Sequence, residues 1–257
     1  MLLVIDVGNT RTKWAQANEN ASLQDVQVCL NADVGTSQQL MHAVQSADKV
    51  VIANVAGDAI LQQITRFLPA HTSLHEVKAQ TNACGVANRY QPTLSLGADR
   101  WAAVVAAWHM HKQPAIVVNA GTAVTIDALA RDAGTKGGVF IGGCIVPGLR
   151  LMQEALALNT AKLGASTGVA ERHVFPTNTR DAIHMGCMNA IEGAVNIMLQ
   201  QLEKYSAYLP KLIISGGDAE KIAEALKPHL KRVMIVENLV LQGLVLLELD
   251  SLEKEQV

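Results

Sequence analysis

The sequence predicts an α/β protein built from two similar halves, and three observations support this. An apolar run that enters Asp or Asn and then Gly occurs twice, as LVIDVGNTRTK at residues 3–13 and VVNAGTAVTID at residues 117–127. A similar order of strands and helices follows each copy. Apolar residues make up 49% of the chain and charged residues 17%, so the chain can bury a large core.

Each half is predicted to run strand, strand, strand, helix, strand, helix, strand, from its apolar periodicity and turn residues. In the first half the predicted strands are 2–6, 12–18, 23–30, 49–55 and 74–79, and the helices 37–47 and 59–68. In the second half they are 115–120, 123–130, 139–146, 211–215 and 232–236, with helices 149–158, 190–205, 219–226 and one at the C-terminus. The halves define two domains, 1–115 and 116–257, with a ligand cleft expected between them.

Composition and net charge exclude several classes of protein. The net charge of -2 gives no electrostatic footprint for nucleic acid, and no apolar run is long enough to span a membrane. The N-terminus lacks the basic region of a signal peptide. The four cysteines are dispersed without a CxxC pair, which is typical of reduced packing residues and predicts a cytoplasmic location.

The segment DVGNTRTK offers the parts of a phosphate cradle. Gly8 lets backbone N–H groups approach an anion, and Lys13 adds a cation. No helix follows, so the cradle would be a β-hairpin turn and not a P-loop. Asp6, at the end of a buried strand, is placed to hold Mg²⁺; the alternative is a plain hairpin in which Asp6 bonds to turn amides.

The segment LGADR precedes a helix with the apolar face Trp101, Val104, Val105 and Trp108. Asp99 could be a helix N-cap or a general base that takes the proton of an attacking hydroxyl. Arg100 beside it could pair with a substrate carboxylate through its planar guanidinium.

The second half carries further glycine motifs. Gly121 and Thr122 form the turn that matches the first hairpin, and GGCIVPG at 142–148 is interpreted as a rigid turn before a helix. TNTRDAI at 177–183 reads as a helix start, and SGGDA at 215–219 could let an adenosine approach. The histidines form no metal signature and there is no GxSxG elbow, which disfavours metalloenzyme and hydrolase chemistry.

The set DVGNTRTK, YQPTLSLGADR, GTAVTID, GGCIVPG, TNT and SGGDA, in this order, resembles the type III pantothenate kinases. The Gly-Thr motifs alone indicate the wider actin, hexokinase and acetate kinase superfamily, and LGADR after a Tyr narrows it. The resemblance implies a duplicated actin/ribonuclease-H-like fold. It also implies ATP-dependent phosphorylation of pantothenate to 4'-phosphopantothenate, the first step of coenzyme A biosynthesis.

The resemblance also assigns residues. ATP and its Mg²⁺ would be held by Asp6, Val7, Gly8, Asn9, Thr10, Arg11, Thr12, Lys13 and Thr122. Pantothenate would be held by Tyr90, Gly97, Ala98, Asp99 and Arg100, with Asp99 as the catalytic base. Thr179 matches a pantothenate contact that in the family comes from the partner subunit, which implies a homodimer with shared sites. GGCIVPG matches the dimer-interface motif of the family.

One position departs from the family pattern. Asn119 stands where the family usually has an Asp associated with K⁺ or NH₄⁺, and an Asn keeps a carbonyl oxygen but loses the charge. We therefore expect weakened or altered K⁺ dependence with catalysis intact. Two alternative functions stay open at this point: a superfamily kinase for another small hydroxyl substrate such as a sugar, and a nucleotide-binding regulatory or accessory protein.

Overall fold

The computed structural model describes residues 1–18, 20–134, 136–159, 175–226 and 233–255. Its strands are β1 (Leu2–Val7), β2 (Arg11–Ala17), β3 (Leu23–Leu30), β4 (Lys49–Asn54), β5 (Ser73–Glu76), β6 (Asn82–Ala83), β7 (Val86–Asn88), β8 (Ala115–Ala120), β9 (Ala123–Arg131), β10 (Gly138–Pro147), β11 (Lys211–Ser215) and β12 (Val233–Ile235). Its helices are α1 (Gln38–Gln45), α2 (Asp58–Thr65), α3 (Ala98–His111), α4 (Leu149–Asn159), α5 (Thr179–Ser206), α6 (Ala219–Leu226) and α7 (Leu239–Glu255). Short 3-10 helices lie at Asn31–Thr36 and Thr93–Ser95.

The predicted order of elements is confirmed in both halves, and three local features differ. The small strands β6 and β7 were missed, because two or three residues around a turn at Cys84 and Gly85 carry no periodic signal. Helix α5 begins at Thr179 and is longer than predicted. The interpretation of residues 142–148 as a turn was wrong in part, because β10 continues through Pro147 and only Gly148 separates it from α4.

The chain forms two compact units. The first contains residues 1–112, 131–141 and 238–257, and the second contains residues 113–130 and 142–237. The division at residue 115 stays a prediction about the duplication. The compact grouping differs from it chiefly because the C-terminal helix α7 packs within the first unit.

The sheet of the first unit has the order β3-β2-β1-β4-β5. Strand β1 runs antiparallel to β2 and parallel to β4, which places Asp6 opposite Lys13. Leu3, Ile5 and Val7 enter one apolar core with side chains of β2, β4, α1 and α2. Because side chains alternate along a strand, Asp6 lies on the opposite face from Ile5 and Val7.

Helix α7 contacts the rest of the first unit at two places. A Cβ on Gly243 would lie 2.0 Å from the carbonyl oxygen of Ala102, so the backbones of α7 and α3 touch there. Further along α7, the buried carboxylate of Glu248 pairs with Lys49 of β4 and with Nδ1 of His75 of β5. None of the helices in the described ranges is both long and apolar enough to cross a membrane.

The second unit contains the strand order β12-β11-β8-β9, and β10, the next strand in the sheet, contributes residues 142–147 to this unit. β8 is parallel to β11 and antiparallel to β9, so Asn119 at its end lies opposite both Ser215 and Thr125. The four cysteines of the chain are free thiols, as their dispersed positions predicted.

Candidate active site

The turn between β1 and β2 is a hairpin, as the sequence predicted for residues 8–10. The N–H of Gly8 donates to the carbonyl oxygen of Arg11 at 3.1 Å and closes the turn. Val7 and Thr12 face each other at its base and are fully buried. A buried base and a more exposed tip give a rigid turn whose backbone can approach a ligand.

Asp6 supplies the carboxyl group of this hairpin. Its Oδ1 is buried and has no hydrogen-bond partner among the described residues, so the plain hairpin with Oδ1 bonded to turn amides is not observed. Burial and the negative charge of Asp99 raise the pKa of Asp6 to about 7, and the charge of Lys13 opposes this. A buried carboxylate without a partner is the kind of group that a bound cation satisfies.

Asp99 lies in the first turn of α3, but it is not the N-cap of that helix. Gly97 occupies the N-cap position without a side-chain cap, and Asp99 Oδ1 accepts a hydrogen bond from the backbone N–H of Arg100 at 2.8 Å. A Cβ on Gly97 would lie 2.5 Å from that oxygen, so a larger residue there would displace the Asp99 carboxylate. Burial raises the pKa of Asp99, while the N–H and the charge of Arg100 lower it.

Arg100 and Tyr90 come together as the sequence predicted, and Phe140 joins them. The Arg100 guanidinium lies 5.4 Å from the ring centroid of Tyr90 and 5.9 Å from that of Phe140. The two rings stack at 5.9 Å with planes 21° apart, and Arg100 is only 5% exposed. The sequence analysis did not single out Phe140, because nothing in the periodicity of β10 separates a ring that contacts Arg100 from any other core ring.

The glycine motifs of the second unit converge on the Gly121-Thr122 turn. The N–H of Gly148 donates to the carbonyl oxygen of Thr122 at 2.9 Å. A Cβ on Gly148 would lie 2.3 Å from the oxygen of Gly121, and one on Gly216 would lie 2.4 Å from the oxygen of Ala120. The predicted motifs therefore pack backbone against backbone, which is a structural reason for these glycines.

The residues directly opposite Asn119 across the sheet, Thr125 and Ser215, carry neutral oxygen atoms, whereas the buried carboxylate of Asp127 lies two residues further along β9 on the same face as Thr125. Thr125 and Ser215, its neighbours across the sheet, are buried, and the Thr125 hydroxyl has no hydrogen-bond partner among the described residues. The orphaned hydroxyl lies near Asn119, at the position where the family resemblance implies a monovalent cation.

Thr179 is the first residue of α5 and is exposed. The N-cap is the preceding Asn178, whose side chain accepts a hydrogen bond from the N–H of Asp181, so the predicted helix start is confirmed. Thr179 borders an apolar groove of about 740 Å³ between α4 and α5, which is lined by residues such as Leu151, Met152 and Ile183.

The carboxylates suit a metal that arrives with a phosphate ligand. Within the described ranges no three His, Cys, Asp or Glu side chains are grouped as a metal site. Asp6 and Asp99 are close enough for the charge of one to raise the pKa of the other. Because Mg²⁺ usually combines one or two carboxylates with water and substrate phosphates, Asp6, whose Oδ1 has no hydrogen-bond partner among the described residues, fits a nucleotide-bound ion.

Comparison with known proteins decides the family. A family profile described as type III pantothenate kinase matches residues 2–201. The chain belongs to the type III pantothenate kinase family. The family member of Methylobacillus flagellatus is 40% identical over 248 residues, which cover 95% of this chain and 96% of the relative. The family member of Aromatoleum aromaticum is 41% identical over the same length and the same shares.

Solved structures confirm the predicted fold class, a duplicated actin-like α/β fold. A Baf family transcriptional activator from Campylobacter jejuni aligns with a TM-score of 0.60 at 19% identity, over 99% of this chain and 100% of the other. The activator of 2-hydroxyisocaproyl-CoA dehydratase from Clostridium difficile aligns with a TM-score of 0.51 at 10% identity, over 100% and 97%. At these identities the likeness concerns the fold alone.

Proposed function

We propose that this protein transfers the γ-phosphoryl group of ATP to the terminal hydroxyl of pantothenate, giving 4'-phosphopantothenate and ADP. Family membership supports the reaction. The observation that carries the assignment of roles is the pair of half-buried carboxylates, Asp6 at the phosphate hairpin and Asp99 beside Arg100, whose charges interact. Phosphoryl transfer depends mainly on positioning and charge neutralisation, and this arrangement offers both.

The hairpin from Asp6 to Lys13 would hold the phosphates of ATP, and the family resemblance adds Thr122 as an ATP contact. Lys13 supplies a positive charge at the base of the turn, where its Nζ donates to Oδ1 of Asn238 at 3.0 Å. Asp6 would hold the divalent ion, which neutralises charge on the transferred group when it is bound. Of the possible ions, Mg²⁺ fits an oxygen-only ligand set.

Asp99 would act as the general base. Its carboxylate takes the proton of the pantothenate hydroxyl as that oxygen bonds to the γ-phosphorus and the bond to the ADP oxygen breaks. Burial raises the pKa of Asp99 and so makes the carboxylate a stronger base. Gly97 and Ala98, which precede Asp99, would contact pantothenate at the start of α3.

Arg100 and Tyr90 would bind the other end of pantothenate. A guanidinium that rests on two aromatic rings is held in one orientation and desolvated, which strengthens its pairing with a carboxylate. Pantothenate carries such a carboxylate, whereas a neutral sugar does not. The buried cation therefore favours pantothenate over the sugar-kinase alternative.

The proposal includes a homodimer in which Thr179 of one subunit contacts pantothenate bound to the other. The apolar groove beside Thr179 and the 58% exposed side chain of Ile145, in the segment that resembles a dimer motif, support an apolar contact surface in the second unit. A cytoplasmic location accompanies the proposal, since free thiols are typical of reducing compartments.

At Asn119 the proposal is a weakened or altered dependence on K⁺ or NH₄⁺. The amide oxygen of Asn119 and the buried hydroxyl of Thr125 are neutral ligands. They could coordinate a monovalent cation without the charge that a carboxylate would add.

The deciding experiment is pantothenate-dependent ADP formation by the purified protein, compared with Asp99→Asn and Asp58→Asn. Both aspartates lie in the first turn of a helix, but Asp58 is exposed at the start of α2, so it is a matched control. We expect Asp99→Asn to lower kcat by about 10² to 10⁴ and Asp58→Asn to leave it unchanged. A protein that binds nucleotide but forms no ADP with pantothenate would contradict the proposal and favour the regulatory alternative.

A further inference from the structure

Asn31 lies immediately after β3, outside the run from Asp6 to Lys13 that the family resemblance assigns to ATP. It nevertheless contacts three residues of that run. Its Nδ2 donates to the carbonyl oxygen of Gly8 at 2.7 Å, and its Oδ1 accepts from the hydroxyl of Thr12 at 2.9 Å. Its backbone N–H donates to the carbonyl oxygen of Thr10 at 3.0 Å.

These bonds fix the orientation of the amide. A carbonyl oxygen can only accept, so the amide nitrogen must face Gly8 and the amide oxygen must face Thr12. The side chain of Asn31 thus joins the end of β1 to the start of β2 across the base of the hairpin. The backbone bond to Thr10 adds a rung beyond the last paired residues of β2 and β3, Arg11 and Leu30.

The burial of Thr12 makes the contact energetically important. Thr12 is 0% exposed, so its hydroxyl has no access to water and needs a partner inside the protein. Loss of that partner would leave a buried polar group unsatisfied, or it would let the turn open toward water. Either change alters the segment whose backbone would meet the phosphates.

We propose that Asn31 is a positioning residue for nucleotide binding, which it serves by holding the phosphate hairpin in its binding conformation before ATP arrives. The inference rests on the proposed function for the identity of the ligand. A turn that is already ordered loses less conformational entropy on binding. The hydrogen bonds of Asn31, called the Asn31 brace below, therefore raise the affinity for ATP without contacting it. Asn31 acts through Gly8, Thr10 and Thr12 and has no role in the proton transfer.

The proposed role of Asn31 requires a side-chain amide. An aspartate at position 31 keeps the oxygen that accepts from Thr12, but it loses the donor to Gly8 and places a carboxylate against a carbonyl oxygen. An alanine loses both side-chain bonds and keeps the backbone bond to Thr10. Asn31→Asp and Asn31→Ala therefore remove the brace in two different ways.

Asn18 provides the matched control. It lies at the other end of β2, in the turn that leads to β3, and its Oδ1 accepts from the N–H groups of Asn20 at 3.0 Å and Ser22 at 2.9 Å. Asn18→Ala thus removes two side-chain hydrogen bonds from a turn of the same sheet, away from the phosphate hairpin. It reports what a purely structural loss does to the protein.

The experiment measures binding of the fluorescent nucleotide mant-ATP with Mg²⁺, steady-state KM values for ATP and pantothenate, and thermal unfolding. We expect Asn31→Asp and Asn31→Ala to raise the Kd of mant-ATP and the KM for ATP about tenfold. We expect the KM for pantothenate to stay within about twofold, because the brace acts on the hairpin alone. Asn18→Ala should lower the Tm as Asn31→Ala does and leave both KM values unchanged.

Two results would overturn the inference: nucleotide affinity that is the same in the Asn31 variants and the unmodified protein, or an equal loss of affinity in Asn18→Ala. An unmodified protein that binds no mant-ATP would also overturn it. If mant-ATP binds and the Asn31 variants bind it weakly, but no ADP forms with pantothenate, the brace stands and the proposed reaction fails. Comparison of the Tm of Asn31→Ala with that of Asn18→Ala separates a folding defect from a loss of positioning.

Discussion

At the scale of single residues, the site is characterised by acidic groups whose charge is poorly compensated within the described residues. Oδ1 of Asp6 is buried without a hydrogen-bond partner among the described residues, and Asp99 adds a second negative charge to the same environment. Such an arrangement is unfavourable for folding and useful for binding a cation. We therefore expect stability and function to make opposite demands on Asp6.

The pKa of Asp6 gives a prediction for stability against pH. The folded protein raises this pKa to about 7, above the value of about 3.9 for an unfolded aspartate. The folded state then holds the proton more tightly, so its stabilising effect is complete below pH 4 and is lost as pH rises to about 7. With EDTA present, urea unfolding should show the free energy of unfolding of the unmodified protein falling across this range.

Asp6→Asn should flatten that dependence, because an amide does not titrate. Asp58→Asn, in which an exposed carboxyl is lost, should keep it. An equal pH dependence in Asp6→Asn and the unmodified protein would show that another group is responsible.

Asn119 gives a prediction for cations. We expect KCl to raise kcat/KM of the unmodified protein less than about twofold over the same concentration of choline chloride, because the ligands at Asn119 and Thr125 are neutral. Asn119→Asp should increase the K⁺ stimulation, since it supplies a charge. Strong K⁺ activation of the unmodified protein, in a coupled ADP assay, would contradict the idea.

At the scale of secondary structure elements, the proposed catalytic groups lie on the hairpin of β1 and β2 and at the start of α3. Helix α7 contacts both of these elements. Asn238, just before α7, holds Lys13, and Gly243 brings α7 against α3. The helix that carries Asp99 therefore depends on the packing of the last helix in the chain.

Two glycines inside helices test this packing. Gly243→Ala should destabilise the protein by about 1 to 3 kcal/mol or more, because the new Cβ would lie 2.0 Å from the Ala102 oxygen. Gly193→Ala in α5 meets nothing within 4 Å and should stabilise by up to about 1 kcal/mol through helix propensity. Thermal unfolding followed by circular dichroism measures both.

If the two alanine variants change the Tm in the same direction, the close approach of α3 and α7 is not what requires Gly243. A fall in kcat for Gly243→Ala, measured well below its Tm, would link the packing of α7 to the position of Asp99.

At the scale of the whole molecule, the proposed homodimer predicts complementation. Asp99→Asn and Thr179→Glu should each be nearly inactive; the second introduces a charge that repels the pantothenate carboxylate but suits a helix N-terminus. When the two variants are mixed and the subunits exchange, half of the dimers carry one intact site. We expect about a quarter of the activity of the unmodified protein.

Size-exclusion chromatography with light scattering should give a dimer for both variants. Absence of recovered activity after proven subunit exchange would mean that Asp99 and Thr179 of one site come from the same subunit.

The sequence predicted the order of the elements and the hairpin form of the first Gly motif, because strand and helix periodicity and turn residues are local properties. Through the family resemblance, the sequence also assigned Tyr90 and Arg100 to one ligand; that role stays a prediction, and the structure shows the Arg100 guanidinium over the Tyr90 ring. The sequence did not predict Phe140 or Asn31, because their partners are distant in the chain and their residue types are ordinary. It misjudged residues 142–148, where glycines that pack against other backbone atoms resemble turn glycines.

By itself, the sequence determined the family, the duplicated fold and the chemical types available for phosphoryl transfer, since motifs fix which side chains occur and in what order. Tertiary structure alone decided which of them are buried together. Burial and the neighbouring Asp99 raise the pKa of Asp6, Gly97 gives room to the Asp99 carboxylate, and Asn31 reaches the hairpin from the end of β3. Desolvation and through-space charge depend on distance in space, which a linear pattern of residues does not record.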